Sequence, residues 1–250
     1  MKVINVESIK QEFNKFIQRT PDYIHKINDF VIEQKELFYV YKKDLYESQG
    51  LEINEAINKI RQGWVSTVGG VLEGVIEVLI GGFCKQFSLS ITNDKSIKAK
   101  NRTKELDLVY RNVVIHFGEY AVLPDGDIII YQYNEIPEYV KIIAILSIKN
   151  SFRERYTETP YWKLKLQESE VTKSIKVMMI TPDADNEISI IKNKAGIPTK
   201  SRIVLEYELD GVYIAKSPDE ILITEKIKSL GSLITDLEDI VKGEINVNQK

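Results

Sequence analysis

The chain has 250 residues, 43% of them apolar and 28% charged, and a net charge of −3 at neutral pH. That suits one large domain, or a domain with a helical appendage, and excludes a fibrous or disordered chain. The acidic balance leaves no global footprint of a nucleic-acid binder, so any such contact must come from a local patch. One cysteine, Cys84, rules out an internal disulfide framework and fits a reducing cytoplasm. His25 and His116 are far apart and make no zinc spacing. No cationic start precedes an apolar core. No apolar run approaches the roughly 18 residues of a membrane span, and the longest, residues 71–83, is interrupted by Glu73 and Glu77. A cytoplasmic protein with no membrane partner is expected.

Residues 7–47 read as helices. Phe13, Phe16, Ile17 and Ile24, then Ile27, Phe30, Val31, Leu37 and Phe38, recur at roughly helical spacing. Thr20-Pro21-Asp22 breaks the run. A short helix over residues 51–60 ends at Gln62-Gly63, and another runs from Ser66 to about Phe83, stopped by Gly81-Gly82. These signals divide the chain into a helical region, residues 1–63, and a main domain, residues 64–250. The helical region suits a scaffold or a dimerisation surface. Glu73 and Glu77 are four apart and share a face of an otherwise apolar helix, where a buried carboxylate needs a partner.

Residues 95–104 form a basic connector, either a solvated loop or an arm contacting phosphates without regard to sequence. Residues 105–116 read as a first strand in which Asp107 faces away from Leu106 and Leu108. Two apolar runs follow, residues 128–131 and 142–146, joined by a short connection containing Pro137. They are expected to pair as antiparallel neighbours. The start of one then lies beside the end of the other, which brings Asp127, with Asp125 nearby, next to Lys149. Two readings fit that meeting. One is a structural ion pair. The other is a site for a hard cation such as Mg²⁺, with the lysine orienting an attacking water and offsetting charge on a phosphate. Asp107 is a rival acid without the Pro-Asp context.

After Lys149 a polar loop leads to a helix starting near Thr159-Pro160 and running to about Val171. Residues 141–176 carry eight Lys/Arg against four Glu, so the chain is locally basic here. Residues 176–181 read as a buried strand parallel to its neighbour, because a helix connects the two. Pro182-Asp183 has no following strand with a lysine and is discounted as a motif. Residues 203–209 and 212–215 read as strands joined at Asp210-Gly211. Ser217-Pro218-Asp219-Glu220 opens a last helix reaching about Val241.

Pro124-Asp125-Gly126-Asp127-Ile128-Ile129-Ile130, followed by Ser147-Ile148-Lys149, resembles the active-site signature of the PD-(D/E)xK nucleases. The Asn150-to-Arg155 segment after it is similar to the corresponding part of type II restriction endonucleases. The branch resembled has Ser in place of the usual acid two residues before the lysine and includes enzymes cutting CCGG-type sites. The resemblance implies an α/β fold, a mixed central β-sheet flanked by helices, with the helical region added at the N-terminus. It implies Mg²⁺ held by Asp127, Glu73 and Asp125, and catalysis by Asp127, Lys149, Glu73 and a later glutamate. In the family that glutamate follows the lysine by about a dozen residues, which here falls near Trp162; Glu158 is the nearest acid that could substitute. DNA contacts are expected from Arg153, Glu154 and Arg155, with Ser151 and Lys163 beside them. An arginine can make two hydrogen bonds to guanine O6 and N7. The implied activity is Mg²⁺-dependent cleavage of double-stranded DNA at a specific palindromic site by a homodimer. Two alternatives keep the same core: a structure-specific repair or recombination nuclease, and a non-catalytic DNA-binding module in which Asp127 and Lys149 merely pair.

Overall fold

The computed structural model describes residues 6–150, 156–191 and 196–248. Two compact units divide at Met1–Leu79 and Ile80–Lys250.

In the first unit, α1 (Val6–Arg19) and α2 (Ile27–Ser48) are joined by a turn at the Thr20-Pro21-Asp22 break. Phe13, Phe16 and Phe30 bury their rings together, with Phe30 at 5.0 and 5.3 Å from the other two. The third helix, α3 (Ile53–Gln86), corrects the reading of two helices divided at Gln62-Gly63. Gly63 lies inside it because Phe38 of α2 comes so close that a Cβ there would meet the ring at 3.2 Å. Ser66 is no cap; its hydroxyl and that of Thr67 donate back to the Gly63 carbonyl. Nor does Gly81-Gly82 stop the helix. It ends where Ser88 takes φ of 53° and the Leu89 N–H donates to the Cys84 carbonyl at 2.8 Å, a Schellman closure without glycine. By length and composition alone α3 would reach across a bilayer, contrary to expectation. Its Val71, Val75 and Ile76 are nonetheless buried in the protein.

The second unit is α/β. A six-stranded sheet has the order β1 (Ser90–Thr92), β4 (Ile128–Glu135), β5 (Glu138–Ile148), β6 (Lys176–Thr181), β7 (Gly211–Ile214), β8 (Ile227–Ser229). β4 pairs antiparallel with β1 and β5, while β5 to β8 run parallel. A separate hairpin joins β2 (Ile115–Phe117) to β3 (Tyr120–Val122). The β4–β5 hairpin is the expected one. Its register shifts by one residue between Ile130 and Tyr131, where Ile143 is the extra residue. The bulge sets Ile128 opposite Leu146, where the pairing nearer the turn would have set it opposite Ile145. β5 is buried on both faces from Ile142 to Ile148, as expected of a strand at the antiparallel-to-parallel junction. β6 lies parallel to β5, also as expected.

Three readings are corrected. Residues 105–116 are not a strand; α5 (Lys104–Val113) occupies most of them. Thr103 caps it by accepting the Leu106 N–H, and Val109 and Val113, four apart, are its buried face. Residues 203–209 are likewise helical, in α7 (Lys200–Glu208), capped by the Thr199 hydroxyl. Arg202 inside α7 is fully buried and donates to the carbonyls of Ile188 and Leu222. The last helix does not start at Ser217. The Ser217/Glu220 capping box forms, but it closes one 3-10 turn. β8 follows, and α8 (Leu233–Asn248) comes after it. The connector before α5 also contains a short helix, α4 (Asp94–Lys98).

Gly126 sits just before β4, where a Cβ would run into the Ile145 side chain. Gly126→Ala is expected to lower stability by about 1–3 kcal/mol through overpacking, read as a shift in the urea midpoint at unchanged slope.

Candidate active site

The hairpin carries its acid and its lysine to one edge of the sheet. The Asp127 N–H donates to the Leu146 carbonyl at 3.0 Å, continuing the ladder one residue beyond β4. Its Oδ2 accepts the Ile148 N–H at 2.6 Å. Lys149 follows at once, held by its own N–H on the Ile180 carbonyl of β6 at 2.9 Å. Backbone bonds to both neighbouring strands therefore fix this edge. Burial pushes the Asp127 carboxyl above the usual carboxylate range, and the charges of Asp125 and Asp94 push the same way. The Ile148 N–H and the Lys149 charge pull it back in part.

The Lys149 side chain is 10% exposed. Its Nζ donates to Asp125 Oδ2 at 2.5 Å and stands 3.8 Å from Glu158 Oε2. A nearly buried ammonium between two carboxylates can donate to a phosphate oxygen or a water entering between them. Glu158 is the first residue of α6 (Glu158–Gln167). Thr159 was the expected cap of this helix, but the helix starts earlier, and the Thr159 hydroxyl instead donates to Ser147 Oγ at 3.0 Å. Both are fully buried. Ser147 stands two residues before the lysine, so this bond ties the start of α6 to the strand that carries Lys149.

Asp125, Asp127, Lys149 and Glu158 thus come together. Glu73 belongs to the Met1–Leu79 unit, half-buried on α3 between the buried Leu72 and Val75; Glu77, one turn on, pairs with Lys10. Ser151, Arg153, Glu154 and Arg155 lie outside the described residues. Lys163, expected among the DNA contacts, is corrected: it is buried, donates to the Ile175 carbonyl at 3.0 Å and pairs with Asp210 Oδ2 at 2.6 Å. The rival Asp107 is on α5, bonded to Arg102 and Arg111, and the Arg102 guanidinium holds its carboxyl below the usual range. The residue that sequence reasoning missed is Asp94, whose charge acts on Asp127. It stands one residue before the stretch read as basic, and the signal available was Asn93, which caps α4 by accepting the Ser96 N–H.

At Pro182-Asp183, the Pro-Asp discounted as a motif, the carboxylate works locally. Asp183 accepts the N–H groups of residues 187, 188 and 189 and shapes its own loop. Among the described residues no three carboxylate, histidine or cysteine side chains converge on one point. The donors at the Asp127 edge are hard oxygens, and one of them, Asp94 Oδ1, is buried without a hydrogen bond. That donor set suits Mg²⁺, which takes one or two carboxylates and keeps several waters.

Comparison with known proteins gives the chain's family. The family model described as BsaWI restriction endonuclease type 2 matches residues 97–236. MjaVIP of Methanocaldococcus jannaschii, assigned as a type II restriction enzyme, is 45% identical over 219 residues, 88% of this chain and 95% of its own length. HpyAORF263P of Helicobacter pylori, assigned likewise, is 50% identical over 181 residues, 72% of this chain and 92% of its own. Among solved structures, the restriction endonuclease PspGI in complex with substrate DNA shares the fold, with a TM-score of 0.56 at 15% identity. The match covers 96% of this chain and 94% of that one.

Because the folded chain raises the Asp127 carboxyl above its ordinary 3.8, folding favours the protonated form. The stability this gives is complete below the ordinary value and is lost as pH rises through the raised one. Asp127→Asn keeps an acceptor for the Ile148 N–H and carries no charge. At neutral pH it is expected to melt at the same temperature as the wild type or higher, an advantage that vanishes below about pH 4. Thermal melts in EDTA across this range check it. A variant much less stable at neutral pH would show that attraction to Lys149 outweighs burial.

Proposed function

The chain belongs to the BsaWI family of type II restriction endonucleases and is a site-specific deoxyribonuclease, and from that premise we propose that the Asp127–Lys149 edge is where it cuts. The reading is Mg²⁺-dependent hydrolysis of a phosphodiester in double-stranded DNA at a palindromic site. The observation that carries it is the meeting of Asp127, Asp125, Lys149 and Glu158 at adjacent strand ends, with Lys149 held between two carboxylates.

Asp127 and Asp125 would hold the cation in this reading. When bound, Mg²⁺ supplies positive charge against the phosphate oxygens and makes a nearby water easier to deprotonate. Lys149 Nζ orients the attacking water and donates to a non-bridging oxygen as negative charge builds on it. Glu158 substitutes for the family's later glutamate from a position nearer Lys149 and, with Asp125, keeps the Lys149 ammonium in place. Water adds to phosphorus, the P–O ester bond breaks, and the leaving oxygen takes up a proton. Burial at the edge limits bulk water around these groups and strengthens each charge interaction.

Base reading is assigned to residues 151–155, with Arg153 and Arg155 donating to guanine and Glu154 accepting from a cytosine amine. The fold shared with a restriction endonuclease solved on its substrate DNA supports a duplex running along this edge. Cutting both strands needs two such edges, hence a homodimer. The exposed Ile32, Leu37 and Val40 of α2 offer a candidate surface for the second copy.

The test is incubation of the purified protein with several plasmid and phage DNAs, with Mg²⁺ and with EDTA. Discrete fragments with Mg²⁺ alone are expected, and Asp127→Asn or Lys149→Ala should slow cutting about a thousandfold or more. A smear or nicking would point to a structure-specific nuclease. Unchanged cutting by the Lys149 variant would remove this edge from the mechanism.

A further inference from the structure

Lys216 is a buried cation that the mechanism above does not use. It stands two residues beyond β7 with its side chain 10% exposed, and its carbonyl accepts the Ser229 hydroxyl of β8 at 3.0 Å. Its Nζ reaches into the loop after β6, residues 182–190. There it donates to the Asp183 carbonyl at 2.6 Å, to Ser189 Oγ at 3.0 Å and to Asn186 Oδ1. The ordinary explanation is a salt bridge with Asp183 that stabilises the loop. The Asp183 carboxylate, however, is 3.9 Å away and already takes three backbone N–H groups. The ammonium rests on three neutral acceptors. Burying a charge there adds little stability over an apolar side chain of similar size, because desolvation offsets the bonds. What the bonds do fix is the course of one loop at three points.

That loop needs holding, and it begins where Lys149 is held. Asp183 and Asn186 have φ of 45° and 53°, a left-handed backbone that among the described non-glycine residues recurs only at Ser88. Such conformations persist where their surroundings over-determine them, and they gather at functional sites. Just before the loop, the Ile180 carbonyl takes the Lys149 N–H at 2.9 Å. The next carbonyl, of Thr181, takes the Ala215 N–H at 2.8 Å, and the Thr181 hydroxyl takes the Asp183 N–H at 3.0 Å. The end of β6 is thus gripped by Lys149 on one side and by the residue before Lys216 on the other. Lys216 closes the grip from beyond, through the Asp183 carbonyl.

We propose that Lys216 is a positioning residue for the cutting reaction: by holding the loop after β6 it fixes the strand end on which Lys149 is set. The proposal rests on the reading above that places cutting at the Asp127–Lys149 edge, and it adds a residue that acts through Lys149.

The test is a double-variant cycle on the whole protein with wild type, Lys216→Met, Lys149→Ala and the two together. Single-turnover cutting of DNA carrying the site found in the digest above is followed with Mg²⁺, at a temperature where melts show every variant folded. Lys216→Met should slow the cutting rate about tenfold or more and leave the affinity for DNA unchanged. On the Lys149→Ala background the same change should cost no more than about twofold, because the residue it acts through is gone. Asn186→Gly keeps the left-handed backbone and removes one acceptor, and takes the place of Lys216→Met if that variant does not fold. A wild-type rate in Lys216→Met, a loss confined to DNA affinity, or an equal loss on both backgrounds would overturn the proposal and leave the cutting edge standing. Wild-type cutting by Lys149→Ala would overturn both.

Discussion

One hydrogen bond organises the proposed catalytic edge: the Ile148 N–H reaching Asp127 Oδ2 across the mouth of the β4–β5 hairpin. It exists because the bulge at Ile143 resets the pairing, so that Ile128 faces Leu146 and Asp127 meets the last residues of β5. Side chains alternate faces along a strand, so a slip of one residue would turn Asp127 to the other side of the sheet. Two other restraints hold the same geometry. Lys149 is pinned by its backbone to β6, and Ser147 is bonded to Thr159 at the start of α6. The lysine and Glu158 are thus placed by neighbours of the hairpin, and the acid by the hairpin itself.

The edge continues past this site, and its two halves are put to different use. At the ends of β6 and β7, Lys216 Nζ donates to the Asp183 carbonyl and to Ser189 Oγ, and it also bonds Asn186. The Asp183 carboxylate meanwhile takes three backbone N–H groups. The acid there is saturated by its own loop. Asp127 accepts one backbone N–H, and its charge is disfavoured by burial and by two neighbouring acids. A carboxylate left under-compensated beside other acids is what a cation would relieve. The Pro-Asp dipeptide occurs four times in this chain, at residues 21–22, 124–125, 182–183 and 218–219, so the dipeptide alone does not mark a site.

The parts of the fold that could be read from sequence are those whose pattern is local. The hairpin, the buried continuity of β5 and the parallel β6 follow from apolar runs bounded by turn signals. Pro-Asp and the lysine exit marked the site on the same basis. Apart from α3, the misread elements are short and ambiguous. Leu106, Asp107 and Leu108 alternate like a strand, but the Thr103 cap and the Val109–Val113 spacing make a helix. Ile203, Val204 and Leu205 have strand propensity, which the Thr199 cap and the buried Arg202 override. Ile227 and Leu230 fit a helical stripe, yet Ile227 is taken by β8 pairing with Val212. Lys163 could not be placed without the fold, since it is drawn inside by Asp210.

The most direct test of the account is where a cation binds. Diffraction from crystals of the whole protein soaked in Mn²⁺, recorded at the manganese absorption edge, locates the metal without reference to activity. An anomalous peak is expected against the Asp127 carboxylate at the head of β4. A manganese ion bound elsewhere in the chain, with the Asp127 edge bare, would contradict it.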